Sequence, residues 1–415
     1  MKGTILYLVF IFLGITSLSA QNTWYDPMTY SDEPWLCGRA WNQEIGKSYT
    51  RMPERLKSTL PTAVWTLSRQ GAGLSVLFTT DATDITVKYT VSNYSPSYKN
   101  MTALNHSGVD LYAKGSDGAW HWIGNHAKYT YGTKSGDSHT FTFKNLATEK
   151  GGMLFRLLLP MYNTVTSLQI GVPTKNTFHF NRETETRPIV AYGSSILQGA
   201  SPSRPGLAWT HIVQRELDFP VVNLGFSGNA FLEGALFDAM SEIDASVYII
   251  DAIPNSNSLG DEIVNRTLAG VEKIRAKTDA PILLVEAGGS ADPIFYPQYN
   301  KVYQTGNSRL KEAYDILDER GVEGIYYLTQ EDIGFGEDAQ IEGTHPNDIG
   351  MRCYADAYNK KLREIFKQHP ASVKAVKADA DNEATDYYDA LGRKVSQPSK
   401  GKIYISKGRK ILKTK

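Results

Sequence analysis

The sequence is poor in cysteine, with only Cys37 and Cys353 among 415 residues. So small a number excludes a disulfide-stapled scaffold, and a hydrophobic core must hold the fold. The sequence leaves open whether the two cysteines form a bridge or remain two buried thiols. No Cys/His cluster has zinc-site spacing, so we expect neither a metal nor another cofactor.

The chain also lacks an excess of charge of either sign. Lys and Arg number 44, Asp and Glu number 44, and the formal net charge is zero. This balance excludes a partner held by bulk charge, such as nucleic acid or an anionic membrane surface. With 41% hydrophobic residues, the composition is globular, and the length predicts two or three domains at roughly 150 residues each.

Long apolar runs are missing after the first twenty residues. Lys2 precedes an apolar run over residues 5–13, and the small residues Ser17, Ser19 and Ala20 follow. This order is typical of a secretory signal peptide, which we assign to residues 1–20. The run is too short for a good membrane span and no later segment supplies one. We therefore expect a secreted or periplasmic protein, possibly at the surface of a Gram-negative cell.

Residues 21–182 have the pattern of a β-sandwich or jelly-roll domain. Residues 74–78 and 85–91 alternate apolar and polar side chains, which is the period of a half-buried strand. Turn residues separate these strands from further short runs, and regular spacing of this kind favours an all-β domain. The further predicted strands are residues 109–113, 120–123, 140–143, 154–159 and 167–172.

Residues 183–370 change to strands that alternate with helices, which predicts a parallel sheet covered on both faces. The predicted strands are 188–192, 221–224, 247–251, 282–285 and 324–328, and the predicted helices are 209–217, 263–276, 308–320 and 349–366. Ligands of such sheets bind at the carboxyl ends of the strands, so catalytic residues are expected in the loops that follow them. Residues 371–415 are interpreted as a linker and a short β tail.

Three of these loops carry candidate residues. Ser195 follows the first parallel strand between glycines, where a serine can be exposed as a nucleophile or simply cap a helix. Gly228 follows the second strand and can present a backbone N–H. Asn255 follows the third strand and can donate a side-chain N–H to an oxyanion, although each of the last two residues is also ordinary turn chemistry.

The candidate base is His345, in a Gly/Pro loop just before a helix. Glu342, three residues earlier, can reach back to the imidazole and fix its tautomer. His211 lies within a predicted helix and His369 at a helix end, so both are interpreted as structural.

Together these loops resemble the SGNH, or GDSL-like, lipase/esterase superfamily over roughly residues 30–369. The resemblance rests on GSSILQG at 193–199, NLGFSGN at 223–229 and GTHPND at 343–348. GVDLY at 108–112 is similar to the Gly-x-Asp-Leu-Tyr signature of a β module that precedes some of these hydrolases. The resemblance implies a flavodoxin-like five-stranded parallel sheet. It also implies Ser195 as nucleophile, His345 as base, and an oxyanion hole of Ser195, Gly228 and Asn255.

The sequence departs from the family at two positions. Ser194 stands where Gly-Asp-Ser has its Asp, and Glu342 replaces the Asp that precedes the histidine. Glutamate is one methylene longer, so it needs a different rotamer or a shifted loop. Asp338 and Asp348 remain alternatives for the triad acid.

The sequence thus predicts an exported serine esterase that removes acyl groups, most simply acetyl, from carbohydrate. A lipase or thioesterase with a longer acyl preference is one alternative, and a glycan-binding protein with a decayed site is another. Five tryptophans of the first domain are candidates either for sugar stacking or for the core. They are Trp35, Trp41, Trp65, Trp120 and Trp122. The oligomeric state is left open.

Overall fold

The structure, a computed structural model, describes residues 21–94, 97–149, 151–184, 186–290 and 292–370. It also gives the backbone of four short strands between residues 387 and 412. The predicted signal peptide and the linker at 371–385 lie outside these described residues. The chain divides into two compact units between residues 374 and 375.

The first unit begins with two antiparallel five-stranded sheets. Their strands are β1 (Asn22–Tyr25), β2 (Ser75–Thr80), β3 (Ile85–Val91), β4 (Asp110–Lys114), β5 (Trp120–Ile123), β6 (Tyr129–Thr130), β7 (His139–Phe143), β8 (Met153–Leu158), β9 (Val165–Pro173) and β10 (Phe178–Asn181). One sheet has the order β1-β9-β3-β7-β6 and the other β10-β2-β8-β4-β5. Short helices α1 (Asn42–Ile45), α2 (Thr62–Leu67) and α3 (Ala103–Ser107), with a 3₁₀ turn at Glu54–Ser58, complete this region.

The two sheets share one core, into which alternate side chains of strands such as β3 point. In β3, Ile85, Val87 and Tyr89 are buried while Lys88 between them is exposed. They join Phe155 and similar residues of the other sheet in a single apolar cluster. The predicted antiparallel β-rich region is therefore present, and β3 has the predicted bounds.

A parallel sheet follows, with strands β11 (Ile189–Gly193), β12 (Val221–Gly225), β13 (Val247–Asp251), β14 (Ile282–Val285) and β15 (Ile325–Leu328). Its order is β12-β11-β13-β14-β15, which is the flavodoxin-like arrangement that the resemblance implied. The helices are α4 (Ser195–Gln198), α5 (Trp209–Leu217), α6 (Gly234–Met240), α7 (Ile253–Ser256), α8 (Glu262–Arg275), α9 (Pro297–Glu319), α10 (Gln330–Ile333) and α11 (Asp348–Gln368). Two 3₁₀ turns lie at Pro205–Leu207 and Asn257–Leu259.

Both faces of this sheet are buried, which explains why its strands are continuous apolar runs. Val190 and Ile250 belong to the core cluster under α6, α8 and α9. Ile189 and Ile249 belong to the opposite cluster, under α5 and α11. Adjacent residues of one strand thus enter different cores.

Helix α9 begins eleven residues before the predicted start at 308. Its buried side begins only at Gly306, and earlier residues such as Tyr299 and Val302 are exposed. The first turns therefore lack the apolar periodicity on which the prediction depended.

Both cysteines are free thiols, so the alternative of a Cys37–Cys353 bridge is wrong. Cys37 is buried beside β2, where its backbone pairs with Ser75. Cys353 is only half-buried in α11, which also differs from the second alternative of two buried thiols.

The second unit contains four short antiparallel strands, β16 (Tyr387–Tyr388), β17 (Lys394–Val395), β18 (Ile403–Ser406) and β19 (Arg409–Leu412), in the order β17-β16-β18-β19. Across the described residues, none of the helices is both long and apolar enough to cross a membrane.

Candidate active site

Three loops meet at the carboxyl edge of the parallel sheet, after β11 and its two neighbours β12 and β13. The last residue of β11, Gly193, pairs with Gly225 of β12 on one side and with Asp251 of β13 on the other. The loops after the three strands therefore begin at one level. The strand order reverses at β11, between β12 and β13, which is the position where ligands bind in such sheets.

The turn after β11 presents Ser195 at the start of a short helix. A Cβ on Gly193 would lie 2.2 Å from the carbonyl oxygen of Asp251, so only glycine fits there. Ser194 is the N-cap of α4, and its side chain accepts the N–H of Ile196 at 3.3 Å. A serine in place of the family's aspartate therefore has a local role, because serine is a preferred N-cap.

Ser195, His345 and Glu342 form a continuous chain of hydrogen-bonding atoms. The Oγ of Ser195 lies 2.8 Å from Nε2 of His345. The Nδ1 of the same ring contacts Oε1 of Glu342, which also accepts the backbone N–H of His345 at 3.3 Å. The longer glutamate thus reaches the ring from the position three residues before it.

Neither of the two alternative acids takes the place of Glu342 at the ring. Asp348 accepts the backbone N–H of Ser203 at 2.6 Å. The backbone carbonyl of Asp338 accepts the side-chain amide of Asn347. Among the described residues, neither carboxylate has a hydrogen bond to the ring of His345.

Gly228 lies in the loop after β12, with a backbone that favours glycine. Its φ is +68°, and a Cβ there would point into open space rather than into protein. The neighbouring N–H of Ser227 donates to Oε1 of the buried Gln198 at 2.9 Å. Helix α4, which begins at Ser195 and includes Gln198, therefore holds the Gly228 loop directly.

Asn255 lies on α7, just after β13. Its Oδ1 accepts the backbone N–H of Ala230 at 3.3 Å, which orients the amide so that Nδ2 is the free end. In the part of the chain that the structure describes, Nδ2 of Asn255 and the backbone N–H groups of Ser195 and Gly228 have no hydrogen-bond partner. Three unpaired donors therefore come from the three loops that meet at this edge.

Arg51, which is 1% exposed, is a further residue at this edge that no sequence pattern indicated. Its guanidinium donates to the carbonyls of Asn223 and Gly225 at 2.9 and 3.0 Å, and so holds the end of β12. It also donates to the carbonyls of Leu67 and Gln70. Burial lowers the pKa of Arg51 to about 9. No local sequence signal indicates this role, because the contacts span more than 170 residues of chain.

Asp251, at the end of β13, is a fully buried carboxyl group. Its Oδ2 accepts the hydroxyl of Tyr358 at 2.9 Å, and its Oδ1 has no partner in the described part of the chain. Burial raises the pKa of Asp251 to about 8, and the Tyr358 hydrogen bond offsets this only in part. The group is therefore protonated over much of the neutral range.

The two histidines that were interpreted as structural make ordinary contacts. His211 is buried in α5, where its Nδ1 lies 2.9 Å from the carbonyl of Pro205. Burial lowers the pKa of His211 to about 4. His369 lies 2.7 Å from the hydroxyl of Tyr326. Within the described residues, no group of three or more His, Cys, Asp or Glu side chains is placed to hold a metal ion.

Comparison with family models assigns the two regions of the first unit. Residues 186–363 match the model of the GDSL-like lipase/acylhydrolase family. Residues 22–178 match the model described as the N-terminus of the SGNH-hydrolase-type esterases, named for its GxDLY motif. The α/β region is a GDSL-like hydrolase domain of the SGNH type. The predicted resemblance is confirmed, and with it an esterase-type hydrolase.

Solved structures share the arrangement of most of the chain. A candidate GDSL-like lipase from Bacteroides ovatus ATCC 8483 is 29% identical, with a TM-score of 0.73 over 84% of this chain and 98% of that one. The salicylyl-acyltransferase SsfX3 of a tetracycline biosynthetic pathway is 16% identical, with a TM-score of 0.63 over 85% and 99% of the two chains. That second likeness shows the fold alone. None of the curated proteins matches the chain.

In this SGNH-type hydrolase, the Gly-x-Asp-Leu-Tyr segment joins the β region to the α/β region. Asp110 accepts from Arg204 and from the N–H of Gly206, both at 2.8 Å. The Arg204 guanidinium also donates to the hydroxyl of Tyr112 at 2.8 Å. A Cβ on Gly108 would lie 2.5 Å from the carbonyl of Leu104, which requires glycine at the start of the motif.

The tryptophans of the β region make contacts within the protein, but only Trp65 of the five is buried and Trp122 is 50% exposed, so the core alternative holds for Trp65. The indole N–H groups of four of them donate to protein groups, and the fifth is buried. The donors are Trp35 to Ser31, Trp41 to Glu242, Trp120 to Asp218 and Trp122 to Asp110, and the buried one is Trp65. The guanidinium of Arg204 also covers the ring of Trp122, at 4.3 Å from its centroid.

Proposed function

We propose that the protein is an exported serine esterase in which Ser195, His345 and Glu342 act as nucleophile, base and acid. The observation that carries the proposal is the 2.8 Å contact between Ser195 Oγ and His345 Nε2, continued to Glu342 on the other ring nitrogen. For Nε2 to accept the serine proton, Nδ1 must carry the ring hydrogen. A carboxylate on Nδ1 favours that tautomer and stabilises the imidazolium that forms.

In acylation, Oγ of Ser195 bonds to the ester carbonyl carbon while its proton passes to Nε2 of His345. The carbonyl oxygen becomes an oxyanion, for which the N–H groups of Ser195 and Gly228 and the amide of Asn255 are the proposed donors. When the intermediate collapses, the alcohol leaves with the proton of the imidazolium. Water then gives up a proton to His345 and attacks the acyl carbon; the bond to Oγ of Ser195 breaks, Oγ takes the proton back from His345, and the acid is released.

The substrate that we propose is an acetyl ester on a carbohydrate. Its support is the GDSL-like hydrolase family of the α/β region and the secretory pattern of the first twenty residues, since an exported esterase meets extracellular polymers. The contact of Glu342 with His345 argues against a glycan-binding protein with a decayed site, because the glutamate that replaces the family's aspartate still places a carboxylate against Nδ1 of the ring.

One observation favours the alternative of a longer acyl group. Ile294 and Phe295 are 80% and 81% exposed, on the rim of a cavity of about 950 Å³ beyond β14 and β15. The loop that carries them is tied to the histidine loop, since Nε2 of Gln340 donates to the carbonyl of Gly289 at 2.9 Å. An exposed apolar rim on a loop that contacts the histidine loop suits an acyl chain.

Turnover of p-nitrophenyl acetate and octanoate, with acetate release from an acetylated glycan, tests the proposal. We expect no hydrolysis by Ser195→Ala, and a preference for acetate of roughly tenfold, since a small acyl pocket excludes long chains. Phe295→Ala serves as the matched variant and should leave acetate turnover unchanged. Full activity of Ser195→Ala would refute the nucleophile. A preference for octanoate that Phe295→Ala removes would establish the longer acyl group instead.

A further inference from the structure

A residue of the β region touches the proposed catalytic histidine. Asn100 precedes α3, 245 residues before His345, and its Nδ2 lies 3.2 Å from Nδ1 of that ring. This is the same ring nitrogen that contacts Glu342. The ring therefore has partners from both regions of the first unit.

The segment that carries Asn100 is attached to the end of the nucleophile helix. Thr102 caps α3 by accepting the N–H of Asn105 at 3.0 Å, and its own hydroxyl donates to the carbonyl of Ser203 at 2.7 Å. The side chain of Asn105 is fully buried and donates to the carbonyl of Gly199 at 2.9 Å. The segment thus has two separate attachments to the residues that follow α4, and the Asn105–Gly199 contact remains when the Thr102–Ser203 contact is lost.

We propose that Asn100 is a positioning residue, which holds His345 through a second acceptor on Nδ1–H beside Glu342. This inference rests on the proposed function. With the ring hydrogen on Nδ1, an amide nitrogen cannot donate to that atom, so the amide oxygen faces the ring in the reactive tautomer, after a half-turn of the amide.

A second acceptor has a physical reason in this protein. The side chain of Glu342 is 41% exposed, so water competes for its carboxylate. The side chain of His345 is 20% exposed. Asn100 covers the ring nitrogen from the opposite region and restricts the ring to the orientation in which Nε2 faces Ser195. The β region thereby becomes part of the active site.

The test compares Asn100→Ala and Asn100→Asp with the wild-type full chain, using p-nitrophenyl acetate. We expect Asn100→Ala to lower kcat roughly tenfold, as for one hydrogen bond to a group that becomes charged, with little change in KM. Asn100→Asp keeps an acceptor and adds a charge, so it should retain activity. Its added carboxylate should move the acid limb of the kcat/KM pH profile to higher pH.

Rescue gives the sharpest readout. In Glu342→Gln the ring loses its carboxylate, and Asn100→Asp in that background supplies one from the other region. We expect the double variant to recover roughly tenfold or more of the kcat that Glu342→Gln alone loses. Failure of rescue, together with a wild-type kcat in Asn100→Ala, would overturn the proposal.

Thr102→Val is the matched control, because it removes the contact to Ser203 from the same segment without touching His345. It should lower Tm but leave kcat and the pH profile near wild type. If Thr102→Val lowers kcat as much as Asn100→Ala does, Asn100 acts only through docking of the two regions and the proposal is wrong. Ser195→Ala distinguishes failure of this inference from failure of the proposed function. An inactive Ser195→Ala together with a wild-type kcat in Asn100→Ala rejects only the role of Asn100. An active Ser195→Ala rejects the esterase mechanism and this inference with it.

Discussion

Substitution of Asn255 tests the proposed oxyanion hole most directly, because it is the one donor of the three that is a side chain. The other two are backbone N–H groups, of Ser195 and Gly228, and survive the change. Removal of one such donor typically lowers kcat by about 10²–10³, or about 2.7–4 kcal/mol. We expect Asn255→Ala to lie near the lower limit, since two donors remain and the bond that orients the amide to Ala230 is long, at 3.3 Å.

Asn255→Asp distinguishes the role of Nδ2 as a hydrogen-bond donor from the role of Oδ1 in the contact with Ala230. An aspartate retains an oxygen for the N–H of Ala230 but replaces the Nδ2 donor with negative charge. Because like charges repel, the loss in kcat should exceed that of Asn255→Ala even though the loop contact is kept. A purely structural role predicts the opposite order, with Asn255→Asp close to wild type.

The assay is steady-state hydrolysis of p-nitrophenyl acetate by the full chain, with Tm measured for each variant. The expected result is a fall in kcat with KM little changed, because the donor acts on charge that develops only in the transition state. A rise in KM at constant kcat would make Asn255 a substrate-binding residue and refute the assignment.

Two further predictions concern stability. Asp251 has a folded-state pKa raised to about 8, so its contribution is fully present below the unfolded value near 4 and is lost as pH rises through about 8. Asp251→Asn can still accept from Tyr358. We therefore expect it to be more stable than wild type by on the order of 3–5 kcal/mol at pH 8, and as stable as wild type at pH 4. Denaturant unfolding that gives the same difference in stability at both pH values would contradict this. Asp110→Asn should lower the free energy of unfolding by about 3 kcal/mol, because it leaves the largely buried Arg204 half-paired. Urea melts measure it, and a loss under about 0.5 kcal/mol would show that Trp122 and backbone groups suffice to hold that joint.

The parallel strands could be predicted from the sequence because burial on both faces leaves a continuous apolar run. The predicted bounds of β13 and β14 agree with the structure, since every residue of both strands is buried. Helix α6 was missed between β12 and β13, where seven residues with a glycine at the start carry little periodicity. Elements that are short, or that are buried on only one side, show too little hydrophobic periodicity in the sequence to be predicted.

The residues of the candidate site also differ in how far the sequence could predict them. Residues that follow strands, such as Ser195 and Asn255, could be predicted because the sheet brings the ends of its strands together whatever the loops do. The reach of Glu342 to His345 depends on a side-chain rotamer, and the sequence could state it only as one of three alternatives. The catalytic roles remain predictions until the variants are measured.

The residues that the sequence did not reveal come largely from the β region, and they converge on the site. Arg51 holds the end of β12, the hydroxyl of Tyr162 donates to the carbonyl of Ser195 at 3.2 Å, and Asn100 meets His345. Each is a contact between segments far apart in the chain, made by a residue type that is common in any loop. The Gly-x-Asp-Leu-Tyr motif could be recognised because its residues are adjacent, but its physical role is to join the region that supplies these three contacts to the hydrolase sheet. The α/β region expressed alone would therefore retain the loops of the proposed triad and lose the groups that hold these loops in position.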